Sequence, residues 1–134
     1  MTRVAVFLHS GDYARMHQGL SIAASAAAGG REVMVFFFWW ALERLAAGRL
    51  DEPDFGDSPE RARAADRFES RGLPTLRQLL EHVRQSGQCR LFACSGSLAA
   101  VAERPDGLER AVDQVVGWST ILELTAGITD RFDL

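Results

Sequence analysis

Two continuous apolar runs near the start of the chain constrain its fold more than any other feature. "RVAVFLH" (residues 3–9) and "REVMVFFF" (residues 31–38) lack the apolar–polar alternation of a strand that has one solvated face. Continuous β-branched and aromatic runs of this length are typical of strands covered on both faces, as in parallel sheets. The chain must therefore supply helices for both faces of a sheet.

Helical patterns separate the strand-like runs. The alanine-rich stretch from Tyr13 to Ala28 predicts a helix that lies close to the sheet, and Gly29 and Gly30 end it. The segment "LPTLRQLLEHVRQSG" (residues 73–87) is the clearest helix, because its apolar residues recur at i, i+3, i+4 and i+7. Shorter helices are predicted for "WWALERLAAG" (39–48), "SGSLAAVAER" (95–104), "DGLERAV" (106–112, with a capping box at Asp106 and Glu109) and "STILELTAG" (119–127, beginning at Ser119).

Three further strands are predicted: "CRLFAC" (89–94), "QVVGW" (114–118) and, at the edge, "ITDRFDL" (128–134). Strands separated by helices pair in parallel through right-handed crossovers. We therefore predict an α/β fold, a three-layer helix–sheet–helix sandwich with a five-stranded, mainly parallel sheet in one domain over residues 1–134.

The segment from residue 48 to residue 72 differs in composition from the rest of the chain. It is rich in charges, holds two prolines and has few large apolar residues. Such a segment is either a functional loop or lid, with a helical turn near "SPERARAADRF", or a solvated insertion.

Composition excludes several classes of function. All fifteen cationic side chains are arginine, so a Schiff-base lysine and a Walker-type phosphate loop are excluded. The net charge of −3 gives no basic footprint for nucleic acid. We expect no signal peptide and no membrane span, since the longest apolar run (residues 33–42) is far short of about 20 residues. Two cysteines are too few for a disulfide framework or a structural zinc site, so a reducing cytoplasm is the expected compartment.

The residues that follow the predicted strands are the candidates for function. In open parallel sheets the functional crevice lies outside the carboxyl ends of the strands. Four groups fall there: His9, Ser10, Gly11 and Asp12; Trp39 and Trp40; Cys94, Ser95, Gly96 and Ser97; Trp118, Ser119 and Thr120.

Cys94 is the candidate reactive group. It lies where a strand gives way to a helix, and a helix N-terminus favours an anion and lowers a thiol pKa from about 8.5 toward neutrality. Gly96 would let the backbone approach a bound group, and Ser95 or Ser97 would cap the helix or donate to the sulfur. Cys89, at the amino end of the same strand, is interpreted as a small buried hydrophobe. Free cysteine also serves packing alone, and that alternative stays open for Cys94.

Three blocks of the chain resemble the DsrE/DsrF-like sulfur-relay family, whose fold is also called YchN-like. They are "LHSGDYARMHQGLSIAASAAAGGREVMVFFFWWALERL", "LFACSGSLAAVAER" and "VVGWSTILELTAGITDRFDL". The second block is similar to the strand that delivers the family's reactive cysteine, here Cys94. The long insertion before "LPTLRQLLEHV" is similar to that of one subgroup.

The resemblance implies a sulfur carrier that works in a homo-oligomer, a trimer or hexamer, without a cofactor. Its cysteine accepts sulfane sulfur as a persulfide from a donor protein and passes it to an acceptor protein's cysteine. By this resemblance Cys94 is the acceptor. Its position at the start of a helix predicts Ser95, Gly96 and Ser97 as its anion cradle. The pocket lining is then His9, Ser10, Gly11, Trp39, Trp40, Trp118 and Ser119. No second cysteine lies on the rim, so transfer goes to a partner.

Other chemistries at the rim are weighed beside this one. His9 beside Cys94 would make a thiol hydrolase dyad, although no Asp or Asn is obviously placed to orient the ring. A metal site of His9, His17 and Cys94 lacks ligand spacing. A dinucleotide site is disfavoured because "HSGDYA" lacks G-x-G-x-x-G. Asp12 suits a helix N-cap. Trp39, Trp40 and Trp118 wall the pocket, fill a subunit interface or pack in the core. A non-enzymatic binding module with Cys94 incidental is the alternative function.

Overall fold

Five parallel strands form the centre of the fold. The computed structural model describes residues 2–102, 108 and 110–134. The sheet order is β4-β3-β2-β1-β5, and every pairing is parallel. The strands are β1 (Val4–Leu8), β2 (Val33–Phe37), β3 (Cys89–Cys94), β4 (Gln114–Val116) and β5 (Asp130–Asp133). The predicted α/β class, the five-stranded parallel sheet and the edge position of the last strand are confirmed.

Six helices alternate with these strands in the described part of the chain. They are α1 (Tyr13–Ala28), α2 (Trp39–Ala46), α3 (Pro59–Ser70), α4 (Leu76–Gln85), α5 (Ser95–Val101) and α6 (Trp118–Thr125). Helix α6 begins at Trp118, one residue before the expected Ser119, because the extended Gly117 is its N-cap. Helix α5 ends early because Ala102 is extended. The predicted 106–112 helix, with its capping box, falls largely outside the described residues.

One face of the sheet is thickly covered. Val4, Val6 and Leu8 of β1 pack there against α1, α2, α4 and α5, in one cluster of buried residues. The small residues of α1 permit this close approach, since a Cβ at Gly19 would collide with Leu8. Asp12 caps α1 as predicted, its carboxylate accepting the Arg15 amide at 3.0 Å. Burial of each large side chain here stabilises the fold by about 1.5–3 kcal/mol.

The second face of the sheet is thinly covered. The alternation of side chains along each strand directs Ala5, Phe7 and Phe36 to this face. In the described part of the chain, α6 is the helix that packs on it, through Ile121 and Leu124. Phe7, Phe36 and Phe92 stack in a row across three strands, with ring centroids 5.1 and 4.9 Å apart. The Arg131 and Arg90 guanidinium groups lie over Phe7 and Phe92 at 4.9 and 5.4 Å. The sandwich therefore has three layers of unequal thickness.

The charged segment 48–72 is anchored to the core. It contains α3, a twelve-residue helix where a single turn was expected. The Ser58 hydroxyl oxygen caps this helix and accepts the Arg61 amide at 3.2 Å. Phe55 and Phe68 pack edge-on against Tyr13, with centroids 5.7 and 6.1 Å away. Phe68 is the buried residue of α3, and the helix otherwise presents charges to solvent. The segment is thus solvated on its outer surface and fixed on its inner one.

Candidate functional site at the carboxyl edge of the sheet

The predicted rim residues lie along one edge, because all five strands run parallel. Residues 9–12 follow β1, Trp39 and Trp40 follow β2 and its neighbour Phe38, Cys94 ends β3, and Trp118 follows β4. Ser10 accepts the Asp12 amide at 3.1 Å, and Ser119 is exposed on the first turn of α6. The strand order places Cys94 between the ends of β2 and β4, while His9 lies beyond β2.

Cys94 occupies a junction between strand and helix. It pairs with Val116 of β4 and is itself the N-cap residue of α5, with φ −73° and ψ 123°. Its side chain belongs to the second-face cluster with Phe92 and Ile121 and is only 6% exposed. The thiol therefore lies at the rim in sequence and topology but is covered in this conformation.

The residues of the expected anion cradle form the first turn of α5. The Cys94 side chain makes no capping hydrogen bond, because strand alternation turns it onto the apolar second face instead of toward the α5 amides. Ser95 and Gly96 are exposed, whereas Ser97 is buried. A Cβ at Gly96 would meet nothing within 4 Å, so packing within the described chain does not require glycine there.

An aromatic stack crosses the rim above β3. The His9 ring lies 4.5 Å from the Phe38 ring at 13°, and Phe38 lies 5.1 Å from Trp118 at 19°. Trp118 follows β4 and Phe38 follows β2, so their contact bridges the end of the intervening strand β3. That strand ends in Cys94, on the same face. Trp118 is still 49% exposed.

His9 has a carboxylate partner that the sequence alone does not reveal. Its Nε2 lies 3.8 Å from the Asp133 Oδ1 atom. The pairing of β5 with β1 sets Asp133 level with Phe7, two residues before His9, and only knowledge of that pairing would have revealed the contact. Strand β2 separates His9 from Cys94 by two strand spacings, about 10 Å. The hydrolase dyad is therefore not assembled here.

The proposed metal ligands are not brought together either. His17 lies on α1, on the first face of the sheet, with its Nε2 2.9 Å from the Pro74 carbonyl oxygen. It also meets the Phe68 ring edge-on at 5.4 Å. Cys94 faces the opposite side of the sheet. No group of three or more potential metal ligands occurs in the described residues.

The turn after β1 packs tightly against the start of α2. A Cβ at Gly11 would lie 2.8 Å from the Trp40 carbonyl oxygen, so this turn requires glycine. Trp39 and Trp40 are 50% and 62% exposed, which excludes the core-packing interpretation for both. Trp39 has φ +40°, the left-handed region, which costs a bulky residue about 1–3 kcal/mol. The backbone of Trp39 is therefore strained at a position where its indole is exposed on the rim.

Arg44 is a second residue that sequence reasoning missed. Its buried guanidinium donates from Nε to the Gly11 carbonyl at 2.7 Å and from Nη1 to the Arg49 carbonyl at 3.1 Å. Nη2 pairs with the Asp54 carboxylate at 3.2 Å. Arg44 thus connects the rim turn to the 48–72 segment. An arginine on a short amphipathic helix predicts solvent exposure, so the sequence carried no signal for this role.

Cys89 is chemically unlike a reactive cysteine. Burial, and secondly the Asp113 carboxylate, raise the pKa of the Cys89 thiol to about 12, although Arg84 opposes the shift. At neutral pH almost none of this thiol is ionised, and the thiolate is the nucleophilic form. Both cysteines are free thiols.

Comparison with protein-family models and with curated proteins finds no match for this chain. Among the described residues, no helix has the length and apolar character needed to cross a bilayer.

Proposed function

We propose that this protein is a sulfur carrier that holds sulfane sulfur as a persulfide on Cys94. The observation that carries the proposal is the position of Cys94, which ends β3 at the carboxyl edge of a parallel sheet and is the N-cap residue of α5. The resemblance to the DsrE/DsrF-like family supports the same residue. The high pKa of Cys89 and its place at the opposite end of the strand favour Cys94 over Cys89 for this role.

The transfer reaction balances without a cofactor. The Cys94 thiolate attacks the outer sulfur of a donor persulfide, the S–S bond of the donor breaks, and the donor leaves as a thiolate. Cys94 then carries the S–SH group. An acceptor cysteine thiolate attacks the same outer sulfur and releases Cys94 as a thiolate. In this proposal the amides of Ser95, Gly96 and Ser97 stabilise the persulfide anion once the side chain turns toward them.

Partners and assembly belong to the same proposal. The donor and the acceptor are proteins, and the chain acts as a homo-oligomer, a trimer or hexamer, in a reducing cytoplasm. The half-exposed Trp39 and Trp40 support a protein interface at the rim, since tryptophan is enriched in such surfaces.

Intact-mass spectrometry after incubation with a sulfane-sulfur donor tests the proposal. A reducible adduct of about 32 Da, one sulfur atom, is expected on the wild type and on Cys89→Ser. Cys94→Ser should gain no adduct. An adduct that survives in Cys94→Ser, or is lost in Cys89→Ser, would overturn the assignment.

The burial of Cys94 favours a second candidate, a binding module of the same fold in which this thiol only packs. At 6% exposure the side chain resembles an ordinary core cysteine. This candidate predicts no sulfur adduct on the native protein and an alkylation rate that becomes measurable only when the whole domain unfolds.

A further inference from the structure

The proposed function needs a reactive thiol where the structure shows a covered one, so access to the sulfur requires a movement at the rim. Trp118 comes from the end of β4 and stacks on Phe38 at the end of β2, 5.1 Å away. Strand β3 lies between these strands, and Cys94 is its last residue on the same face. Phe38 and Trp118 therefore flank the strand end that carries Cys94. Removing the indole should open the second face beside the sulfur.

Helix α6, which carries this indole, is held more firmly at one end than at the other. At its C-terminal end, Arg3 donates to the Leu124 and Ala126 carbonyls at 3.4 and 3.2 Å. At its N-terminal end, Gly117 is the N-cap and supplies no side-chain hydrogen bond. Among the described residues, the end that carries Trp118 thus lacks the side-chain hydrogen bonds that Arg3 makes at the other end. The flanking glycine also gives it a hinge without steric cost.

We propose that the first turn of α6, with Trp118 as its plug, is a gate that controls access to Cys94. In the closed state the Trp118–Phe38 stack covers the sulfur. In the open state the stack separates, the turn pivots at Gly117, and the thiol meets its reaction partner. This inference rests on the proposed function for its purpose, but the gate itself is measured by thiol chemistry alone.

Alkylation kinetics in a Cys89→Ser background test the gate, because each event then reports on Cys94. The Cys94 thiolate displaces iodide from the methylene carbon of iodoacetamide, and the thiol proton passes to buffer. Trp118→Ala should raise the native-state alkylation rate about two- to tenfold, the factor expected for loss of one aromatic stack. Trp118→Phe keeps a stacking ring and should stay near the parent rate.

Leu122→Ala is the matched control on the same helix. Leu122 lies one turn after Trp118 and is 61% exposed, so its truncation should leave the rate unchanged. Equal rates for Trp118→Ala and Leu122→Ala would overturn the gate. So would a Trp118→Phe rate as high as that of Trp118→Ala.

Alkylation rates of the Cys89→Ser parent at increasing urea concentrations distinguish local opening from global unfolding. Opening of one helical turn exposes little surface, so the alkylation rate should hardly change with urea well below the unfolding midpoint. A rate that rises with the full slope of global unfolding would contradict local gating.

Failure of the gate is distinguishable from failure of the proposed function. A gate without any sulfur adduct refutes sulfur carriage, whereas an adduct with Trp118-independent rates refutes the gate.

Discussion

For single residues, the two cysteines show that the position on a strand gives identical side chains different surroundings. Cys89 and Cys94 lie at opposite ends of β3, and the strand directs them to opposite faces of the sheet. Cys89 lies beside the Asp113 carboxylate, which also accepts the Leu91 amide at 2.7 Å. Its thiol is kept protonated by burial and by this neighbouring charge.

The charge contribution at Cys89 can be tested in a Cys94→Ser background. Asp113→Asn removes a negative charge but keeps an oxygen for the Leu91 amide, so the pKa of Cys89 should fall. At any pH below that pKa, the alkylation rate should then rise, about fivefold for an interaction of roughly 1 kcal/mol. Arg84→Gln should act in the opposite direction, because Arg84 lowers this pKa. Rates that do not separate in these two directions would refute the electrostatic explanation.

Gly11 and Gly96 are two glycines whose replacement by alanine should change the stability in opposite directions. Gly11→Ala should destabilise the protein by about 1–3 kcal/mol, since the added methyl meets the Trp40 backbone at 2.8 Å. Gly96→Ala adds a methyl in open space within a helix and should stabilise by about 0.5–1 kcal/mol. Urea denaturation of both variants measures the difference. Similar midpoints for the two would show that the rim turn is not tightly packed against α2.

At the scale of elements, α3 and α6 illustrate attachment through very few side chains. Helix α3 contributes Phe68 to the core, in an aromatic group with Tyr13 and Phe55. Tyr13 also donates its hydroxyl to the Leu50 carbonyl at 3.3 Å and accepts the Leu76 amide at 3.1 Å. The aromatic cluster is therefore the apolar attachment of α3, whereas Arg44 and Tyr13 hold the beginning of the 48–72 segment by polar contacts.

Phe68→Ala should detach α3 without unfolding the sheet. Loss of a buried Phe side chain costs about 3–5 kcal/mol, more than a peripheral helix of mostly charged residues can supply otherwise. Limited proteolysis should then cut within residues 51–72 while a fragment containing the strands survives. Glu69→Ala, an exposed neighbour, should keep the parent's resistance. Global loss of structure in Phe68→Ala would show instead that α3 is part of the cooperative core.

At the scale of the whole molecule, the sequence predicted the sheet well because its signals are local. The apolar runs of β1 and β2 and the leucine spacing of α4 each specify an element from within one segment. Asp12 at the start of α1 is likewise a local signal. These features do not depend on which strands become neighbours.

The site was less predictable because its contacts depend on strand order. The Trp118–Phe38 stack, the His9–Asp133 pair and the Arg44–Gly11 hydrogen bond each join residues whose proximity follows from the strand order β4-β3-β2-β1-β5. The burial of Cys94 has the same origin, since it needs α6 on the second face. A residue that directly follows a strand is predicted to lie on the rim. Whether its side chain is exposed depends on which other segments of the chain pack against it.

In the proposed function, Cys94 and not Cys89 leaves its cover to carry sulfur in the native wild-type chain. Site-resolved peptide mass mapping after loading with a sulfane-sulfur donor and trapping with iodoacetamide distinguishes the two cysteines. We expect one extra sulfur, about 32 Da, on the Cys94 peptide and none on the Cys89 peptide. Sulfur on both peptides in equal measure, or on neither while the protein stays folded, would contradict it.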